Sequence, residues 1–328
     1  MQIRATAPVR ICDIGGWTDT WFGGPGRVFN IAVTPGAEVV AEAAPGRGHV
    51  VVEVRDEGHR YRVVPGERRR GRHLLVEAAI DAWPPPGDRA VSISVSCGVP
   101  SGSGTGTSAT VAVALLSVLA RLRGERPSHR ELARRALRLE VELLGRESGV
   151  QDQLAAAFGG VSFIEVDRFP DAVVRRLPPW DGVEDRLSLV LLGSPHDSSA
   201  IHRQVVAQLS EHRGDELDRL RRAADAARRA FVAHDLPALG AAMVANTDAQ
   251  RRLHPDLVGR EATHAIEVAR GAGAVGWKVN GAGGAGGSLT LLGPSTATQG
   301  PLRNAVAALG HRVLPVCIST EGAVVIES

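Results

Sequence analysis

The sequence predicts an α+β protein with two lobes, and three features of the 328-residue chain support this prediction. Short β-branched runs separated by glycine and proline fill the first third. A mostly helical region covers residues 107–158, and strand and helix patterns return beyond a proline-rich, charged stretch at residues 168–184. Because both patterns occur on each side of that stretch, we expect one α+β lobe over residues 1–175 and another over residues 176–328.

The first lobe is predicted to begin with hairpins. Its short apolar runs are bounded by Pro-Gly or glycine-rich breaks, which favour antiparallel connections. The runs cover residues 28–33, 38–41, 50–54 and 61–64. A further strand is clearest at residues 90–97, where Val91, Ile93 and Val95 alternate with serines. This period of two predicts a strand with one buried and one polar face.

Helices dominate the end of the first lobe, with interruptions near residues 124–127 and 145–149 and a return to strand at 160–166. In the second lobe, residues 187–192 predict a strand. Apolar residues from Leu217 to Phe231 then recur at steps of three and four, which indicates an amphipathic helix packed on a core. Further helices are predicted over residues 236–253 and 260–272, and further strands over residues 288–292, 312–318 and 323–326.

The composition excludes several classes of protein. An apolar share of 44%, a charged share of 23% and a net charge of +2 exclude a disordered chain and give no reason to expect a nucleic-acid partner. The three cysteines are odd in number and lack metal-ligand spacing, so we expect a reducing compartment. The N-terminus shows no secretory signal, and the most apolar stretch, residues 109–120, is too short to cross a bilayer. We therefore expect a cytoplasmic monomer or homodimer without membrane association.

A glycine-rich loop between the alternating strand and the most apolar helix carries the strongest chemical signal. Gly102, Gly104 and Gly106 allow the backbone to curl so that successive N–H groups face one point, where the start of a helix adds partial positive charge. This predicts a phosphate site that is neither a Walker A loop nor a GxGxxG fingerprint; the alternative is a Gly/Ser-rich connector. The predicted phosphate-binding residues are Pro100, Ser101, Gly102, Ser103, Gly104, Thr105, Gly106, Thr107 and Ser108.

Two further segments are informative only in combination. In APVRICDIGGWTDT, a Gly-Gly pair permits a sharp bend, after which Asp19 either accepts hydrogen bonds from sugar hydroxyls or forms an Asx turn. In KVNGAGGAGGSLTLL, five glycines lie between Gly281 and Gly287. Such a run either lets the backbone approach a ligand closely or forms a flexible hairpin loop.

A fourth segment, LEVELLGRESGVQDQLAAAFGG, holds several carboxylates before an Ala-rich helix. Glu140, Glu142, Glu147 and Asp152 could bind a metal or take up a proton. By composition alone, most of them would be solvated helix faces.

Together the four segments resemble one family, the GHMP small-molecule kinases, named for galactokinase, homoserine kinase, mevalonate kinase and phosphomevalonate kinase. APVRICDIGGWTD is similar to the first motif of the family, PSGSGTGTSA to its second motif, the phosphate loop, and KVNGAGGAGG to its third. The resemblance runs over essentially the whole chain. It implies an N-terminal lobe similar to the second domain of ribosomal protein S5 and a C-terminal α+β lobe, with ATP, bound at the phosphate loop, and substrate between them.

Within the family, the sugar-kinase branch fits best. GVQDQLAAAFGGVSFIEV is very similar to bacterial D-glycero-D-manno-heptose 7-phosphate kinases, and GGWTDT is also similar to fucokinases. The resemblance implies ATP-dependent phosphorylation of a sugar or sugar phosphate, with the anomeric O1 of a heptose 7-phosphate as the preferred acceptor. A fucokinase or uronic-acid kinase is the alternative within this class. A catalytically silent regulator and a decarboxylase are the alternatives from other classes.

The resemblance also implies roles for individual residues. Asp152 matches the catalytic aspartate that accepts the proton of the hydroxyl group, and Arg10 beside it is expected to keep it ionised. Asp19 matches the aspartate that holds sugar hydroxyls. The implied Mg²⁺ ligands are Ser108 and Glu140, with Glu142 as a competitor of Glu140.

Substrate contacts are expected at the bend of the first motif, in the third motif and in a polar segment of the second lobe. Galactokinases carry a Glu-His pair where this chain has Gly16-Trp17, which argues against galactose. Trp17 and Trp21 either form walls of the sugar pocket or are ordinary buried aromatics. The implied substrate-binding residues are Asp19, Gly16, Trp17, Thr18, His196, Ser198, Gly283 and Gly284.

A heptose 7-phosphate would need a second anion site. SPHDSSAIHR, residues 194–203, supplies histidine, serine and arginine side chains after a predicted strand. The candidates are His196, Ser198, Ser199, His202 and Arg203. The alternative is a polar turn in which Ser198 or Ser199 caps a helix.

Overall fold

The computed structural model describes residues 1–46, 48–67, 71–193, 204–207, 215–284 and 286–328, which form two β-sheets with helices packed on them. The strands are β1 (Gln2–Ile14), β2 (Gly26–Pro45), β3 (His49–Val54), β4 (His59–Val63), β5 (Arg89–Cys97), β6 (Val161–Arg168), β7 (Asp171–Arg176), β8 (Leu187–Leu191), β9 (Gly276–Val279), β10 (Ser288–Leu292), β11 (Arg312–Pro315), β12 (Cys317–Ile318) and β13 (Val324–Glu327). The α-helices are α1 (Leu74–Ala82), α2 (Thr107–Leu122), α3 (His129–Arg138), α4 (Gln151–Phe158), α5 (Glu216–Val232), α6 (Leu236–Leu253), α7 (Arg260–Gly271) and α8 (Thr296–Ala307).

The first sheet is organised around the long strand β2, which pairs antiparallel with β1, β5, β6 and β12. Its main strand order is β13-β1-β2-β5-β3-β4, and β7 extends it from β6. The alternation that predicted a strand at residues 90–97 is confirmed, since Val91, Ile93 and Val95 of β5 are buried. The sheet therefore has one face that is packed against helices along β5.

One sequence prediction about this sheet is wrong. Residues 28–33 and 38–41 are parts of the single strand β2, because the Pro35-Gly36 pair lies where β2 changes neighbours, from β6 and β12 to β5. Pro35 marks a bend within the strand, where its missing N–H is tolerated, and does not end the sheet. The stretch at residues 168–184, where the domain boundary is predicted, contains β7, which pairs with β6.

The helical region of the first lobe is confirmed, with α2, α3 and α4 separated at the predicted interruptions. Two helices were not predicted. Helix α1 spans only nine residues, and α8 contains Pro301, a residue that normally ends helices. Short apolar helices and helices with an internal proline lack the periodic pattern on which the sequence predictions depend.

Strands β1 and β2 are covered by helices on both faces, which buries the segment that carries the first motif. Helix α2 packs on one side, where Leu115 and Leu116 are almost fully buried. Helices α5 and α6 pack on the other side, where the rings of Phe29 and Phe231 lie 5.6 Å apart. Polar groups at the end of β1 therefore lie in a region of low dielectric, where their charges interact strongly.

The second sheet has the order β11-β8-β10-β9 and packs against α7 and α8. The chain then returns to the first sheet, where β12 pairs with β2 and β13 with β1. The predicted boundary between residues 175 and 176 falls at the end of β7 and stays a prediction. Among the helices in the described ranges, none has the length and apolarity needed to cross a membrane.

Candidate active site

All four sequence segments meet at one cavity of about 450 Å³. Its lining comes from the end of β1 and the bend after it, the loop before α2, the segment that leads into α4, and the turn after β9. The sequence predicts that these segments form one site. The fold brings them together because β1, α2 and α4 pack against one another.

The glycine-rich loop adopts the curl that its composition predicts. Gly102, Gly104 and Gly106 have φ angles of 76°, 72° and 73°, and helix α2 begins directly afterwards at Thr107. The hydroxyls of Ser103 and Thr105 lie 2.8 Å apart and link the loop internally. Since the first N–H groups of a helix have no intrahelical partner, the loop and the start of α2 together form a site suited to an anion.

Gly104 is also fixed by the third motif. A Cβ atom added at Gly104 would lie 2.6 Å from the carbonyl oxygen of Asn280, and one added at Gly281 would lie 2.7 Å from the carbonyl oxygen of Gly104. The two glycine-rich segments therefore touch through their backbones. Both segments need glycine here because side chains would separate them.

Replacing Gly104 with alanine should lower the free energy of unfolding. Gly124 offers a matched control, since its φ angle of 75° is nearly the same but no atom lies within 4 Å of an added Cβ. Gly124→Ala should cost about 1 kcal/mol from left-handed backbone strain alone. Gly104→Ala should cost roughly 1–3 kcal/mol more, because the clash adds to the strain. Denaturant unfolding of both variants would measure this difference, and equal losses would contradict the close approach.

Asp152 and Arg10 form the centre of the cavity. Asp152 lies in the first turn of α4, and its Oδ1 accepts a 2.8 Å hydrogen bond from Nε of Arg10 on β1. A second guanidinium nitrogen of Arg10 donates to the carbonyl oxygen of Gly104. Burial acts to lower the pKa of Arg10, but the charges of Asp13 and Asp152 outweigh this effect and raise it. Arg10 is therefore a permanent cation that connects the phosphate loop to Asp152.

Asp19 is held at the bend after β1 by the start of α4. Its side chain is buried, and its Oδ2 accepts a 3.0 Å hydrogen bond from the backbone N–H of Gln151. Gly149 passes so close that an added Cβ would lie 2.1 Å from Oδ2 of Asp19. Burial raises the pKa of Asp19 to about 6, although the Gln151 hydrogen bond acts in the opposite direction.

This pKa predicts a pH-dependent contribution of Asp19 to stability. Its folded-state pKa of about 6 lies above the ordinary value of 3.8, so the folded protein binds the proton more tightly than the unfolded chain. The contribution is therefore fully present below about pH 4 and is lost as the pH rises through about 6, with a total change of about 3 kcal/mol. Unfolding free energies of the wild type and Asp19→Asn, measured from pH 4 to 7, should show this loss in their difference. A pH-independent difference would refute the assignment.

Glu140 and Ser108, the implied magnesium ligands, both line the cavity. Glu140 lies in a π-helical turn (Leu139–Leu143) and accepts a 2.6 Å hydrogen bond from Gln153. Burial raises the pKa of Glu140, while hydrogen bonds from Ser108 and Gln153 oppose this change. Glu142 is solvent-exposed and forms an ion pair with Arg138 at 3.3 Å, outside the cavity lining.

The donor set suits magnesium only in combination with phosphate. Within the described ranges, no group of three or more His, Cys, Asp or Glu side chains is arranged to hold a metal by itself. One carboxylate and one hydroxyl beside a phosphate loop are nevertheless the kind of protein ligands that Mg²⁺ uses when nucleotide phosphates complete its coordination. The residues present therefore fit a magnesium ion that arrives with a nucleotide.

The structure separates the implied substrate-binding residues into two groups. Asp19 and Trp17 line the cavity, whereas Gly16, Thr18, Gly283 and Gly284 are buried behind its wall. Thr18 donates a 2.7 Å hydrogen bond to the carbonyl oxygen of Gly15 and so braces the bend. An added Cβ at Gly283 would lie 1.8 Å from the carbonyl oxygen of Leu257, and the N–H of Gly284 donates to the same oxygen. The four residues are therefore packed against neighbouring protein groups and do not line the cavity.

The remaining substrate predictions concern Trp21 and the second anion site. Trp21 is 46% exposed and packs edge-on against Phe22, so it is not an ordinary buried aromatic, and it does not line the cavity. His196, Ser198, Ser199, His202 and Arg203 lie outside the described residues. The proposed site for a second phosphate stays a prediction.

Asp13 lines the cavity and pairs with Lys278 behind it, although the sequence pattern indicates no role for either residue. Both are almost fully buried, with Nζ of Lys278 3.2 Å from Oδ1 of Asp13. Asp13 also accepts a 3.0 Å hydrogen bond from the N–H of Gly281 and lies 3.6 Å from the guanidinium of Arg10. Burial lowers the pKa of Lys278, and the charge of Asp13 opposes this change. The one available signal was compositional, since Lys278 is the only lysine in a chain rich in arginine.

Comparison with known proteins identifies the domain and the fold. Residues 73–160 match the GHMP kinases N terminal domain. No curated protein matches the chain significantly.

Several solved structures have the same fold over nearly the whole chain. A D-glycero-D-manno-heptose 1-phosphate kinase from Bacteriodes thetaiotaomicron has a TM-score of 0.79 and 20% identity, covering 99% of both chains. Lactococcus lactis galactokinase complexed with galactose has a TM-score of 0.76 and 20% identity, covering 98% of this chain and 95% of that one. L. major mevalonate kinase in complex with R-mevalonate has a TM-score of 0.72 and 20% identity, covering 96% of this chain and 95% of that one.

These identities establish a common fold and leave the substrate open. The domain match covers β5, the glycine-rich loop after it and helices α2, α3 and α4. Together, these comparisons show that the chain contains a GHMP kinases N terminal domain over residues 73–160 and has the overall fold of these solved kinases.

Proposed function

We propose that this protein is a sugar kinase that transfers the γ-phosphoryl group of ATP to a sugar hydroxyl, specifically the anomeric O1 of a heptose 7-phosphate. Two of the similar structures are named as a heptose 1-phosphate kinase and a galactokinase. The resemblance of the segment around Asp152 to heptose 7-phosphate kinases supports the finer assignment. Mevalonate kinases have comparable TM-scores, so the fold itself does not choose among acceptors.

The observation that carries this proposal is the contact between the phosphate loop and Asp152. A Cβ atom added at Gly106 would lie 3.0 Å from Cγ of Asp152. A phosphate held by the loop would therefore lie next to a carboxylate that can accept a proton. Phosphoryl transfer depends mainly on this kind of positioning and on neutralisation of charge.

A second cavity beside the loop is suited to the nucleoside part of ATP. This cavity, of about 800 Å³, lies on the other side of the loop and is lined by parts of β5, the start of α1 and the turn after β3. It shares Ser101, Thr107 and Ser108 with the first cavity. The nucleoside would lie in the second cavity, so that the terminal phosphates reach the loop and face Asp152.

In the proposed reaction, the sugar oxygen attacks the γ-phosphorus of ATP. The new O–P bond forms as the bond from γ-phosphorus to the bridging oxygen breaks, ADP leaves, and the hydroxyl proton passes to a carboxylate oxygen of Asp152. Arg10 orients Asp152 through the 2.8 Å hydrogen bond, and Asp19 is placed to accept hydrogen bonds from other sugar hydroxyls. Amide groups of the loop stabilise negative charge on the phosphates.

Magnesium would be held by Glu140 and Ser108 together with phosphate oxygens. When bound, the ion would neutralise phosphate charge. Gln153, which donates to Glu140, would keep that carboxylate oriented toward the cavity.

A coupled assay of ADP release tests this proposal directly. The panel should contain heptose 7-phosphates, fucose and uronic acids, with ³¹P NMR of each product to locate the new phosphate. We expect release of ADP with a heptose 7-phosphate and a product phosphorylated at O1. Release with fucose or a uronic acid alone would favour the alternative sugar kinases. ATP binding without ADP release from any sugar would indicate a catalytically silent protein.

A further inference from the structure

Arg146 occupies a distinctive position between the two cavities. It follows the π-helical turn, and its backbone N–H donates a 2.9 Å hydrogen bond to the carbonyl oxygen of Glu140. Four residues line both cavities, and three of them, Ser101, Thr107 and Ser108, belong to the phosphate loop. Arg146 is the fourth. Among the charged residues that line either cavity in the described structure, it alone borders both.

The guanidinium of Arg146 is directed at the loop and has unused donors. Its Nη1 donates a 2.9 Å hydrogen bond to Oγ of Ser108, at the beginning of α2. Arg10, by contrast, is engaged with Asp152. Within the described residues, no carboxylate lies within ion-pair distance of Arg146. A guanidinium carries five N–H donors in a planar fork, so most of its hydrogen-bonding capacity remains for a ligand.

We propose that Arg146 binds the β- and γ-phosphate groups of the nucleotide at the passage between the two cavities. This inference rests on the proposed function, because it assumes that a nucleotide crosses from the second cavity to the first. Its chemical basis is the planar fork of arginine, which matches pairs of phosphate oxygens, and the position of that fork at the loop, where it makes no ion pair with a described carboxylate. Phosphate oxygens would replace Ser108 Oγ as acceptors and leave that hydroxyl available.

A residue that binds only the β- and γ-phosphates should affect the affinities for different nucleotides unequally. Its removal should weaken binding of ATP and ADP, which carry a β-phosphate, but should leave AMP unaffected. Hydrogen bonds to charged groups of this kind correspond to about 10- to 100-fold in affinity. A residue with a purely structural role would weaken binding of all three nucleotides together, since it would disturb the loop and the second cavity alike.

The experiment compares Arg146→Met, Arg146→Lys and wild type in ligand-observed NMR titrations with ATP, ADP and AMP, first without magnesium. Arg138→Met is the matched control, because Arg138 is exposed, pairs with Glu142 and lines neither cavity. Circular dichroism and thermal unfolding check that each variant is folded. We expect Arg146→Met to lose about 10- to 100-fold in affinity for ATP and ADP and to keep AMP affinity within about twofold. Arg146→Lys should be intermediate, because it keeps the charge and loses the fork.

The outcomes separate this inference from the proposed function. If the wild type binds ATP and Arg146→Met binds it equally well, the assignment of Arg146 is overturned and the kinase proposal stands. An equal loss for all three nucleotides would also overturn it, because that pattern indicates a structural role. If the wild type binds none of the nucleotides, both proposals fail.

Discussion

Replacing Asp152 with asparagine should lower the turnover number at least about 100-fold while ATP still binds. Asparagine has nearly the same shape and can still accept a hydrogen bond from Nε of Arg10, which lies 2.8 Å from the present Oδ1. It cannot accept the proton of the sugar hydroxyl. The expected effect is therefore on the chemical step, with little change in the position of the phosphate loop.

Steady-state kinetics with the preferred sugar, together with a direct measurement of ATP binding, would check this prediction. Asp171→Asn is a suitable control, because Asp171 is a largely exposed aspartate on β7. It should retain wild-type turnover. Turnover near the wild-type value in Asp152→Asn would remove Asp152 from the role of proton acceptor, and the mechanism would then depend on the phosphate loop and magnesium alone.

Breaking the buried ion pair between Lys278 and Asp13 should cost about 3–5 kcal/mol of unfolding free energy. Lys278 is fully buried, and methionine has a similar length without a charge. Lys278→Met would leave the carboxylate of Asp13 buried without its ammonium partner. The substitution should also disturb the active site, because Asp13 accepts a hydrogen bond from the N–H of Gly281 and lies 3.6 Å from Arg10.

A double-mutant cycle distinguishes the ion pair from general damage to packing. Asp13→Asn combined with Lys278→Met removes both charges, so the double variant should lose clearly less stability than the sum of the two single variants. The exposed pair Arg138–Glu142 provides the comparison, with an expected interaction energy of at most about 1 kcal/mol. Strict additivity at Asp13 and Lys278 would show that the two side chains do not interact as a pair.

Local rules explain which parts of the fold could be predicted. Strand β5 and helix α5 were predicted because their apolar residues repeat with the period of the element they form, and α2 was predicted from its continuous apolar run. The division of β2 was predicted wrongly because a Pro-Gly pair was interpreted as an end of pairing, whereas the neighbouring strands change there. Whether such a bend ends a strand depends on its neighbours, and those are not visible in the local sequence.

In the candidate site, too, some features could be predicted from the sequence and others could not. Asp152, the phosphate loop, Asp19 and Glu140 were all placed in one site by their resemblance to family motifs, and they line one cavity. The resemblance was less informative about the glycines of the third motif. Gly283 and Gly284 form the wall behind the cavity, whereas Gly281 and Ala282 line it. A motif indicates that close backbone approach occurs but not which peptide meets the ligand.

The sequence by itself determined that a glycine-rich loop with positive φ angles precedes a helix, and its resemblance to the GHMP kinases predicted a carboxylate beside that loop. The first property follows from the conformations that glycine allows. Only the tertiary structure decided that Lys278 pairs with Asp13 across 265 residues of chain, and that Arg146 faces the loop between two cavities. Such contacts depend on how distant strands and helices pack together, and a buried charge has no periodic pattern that would predict its partner.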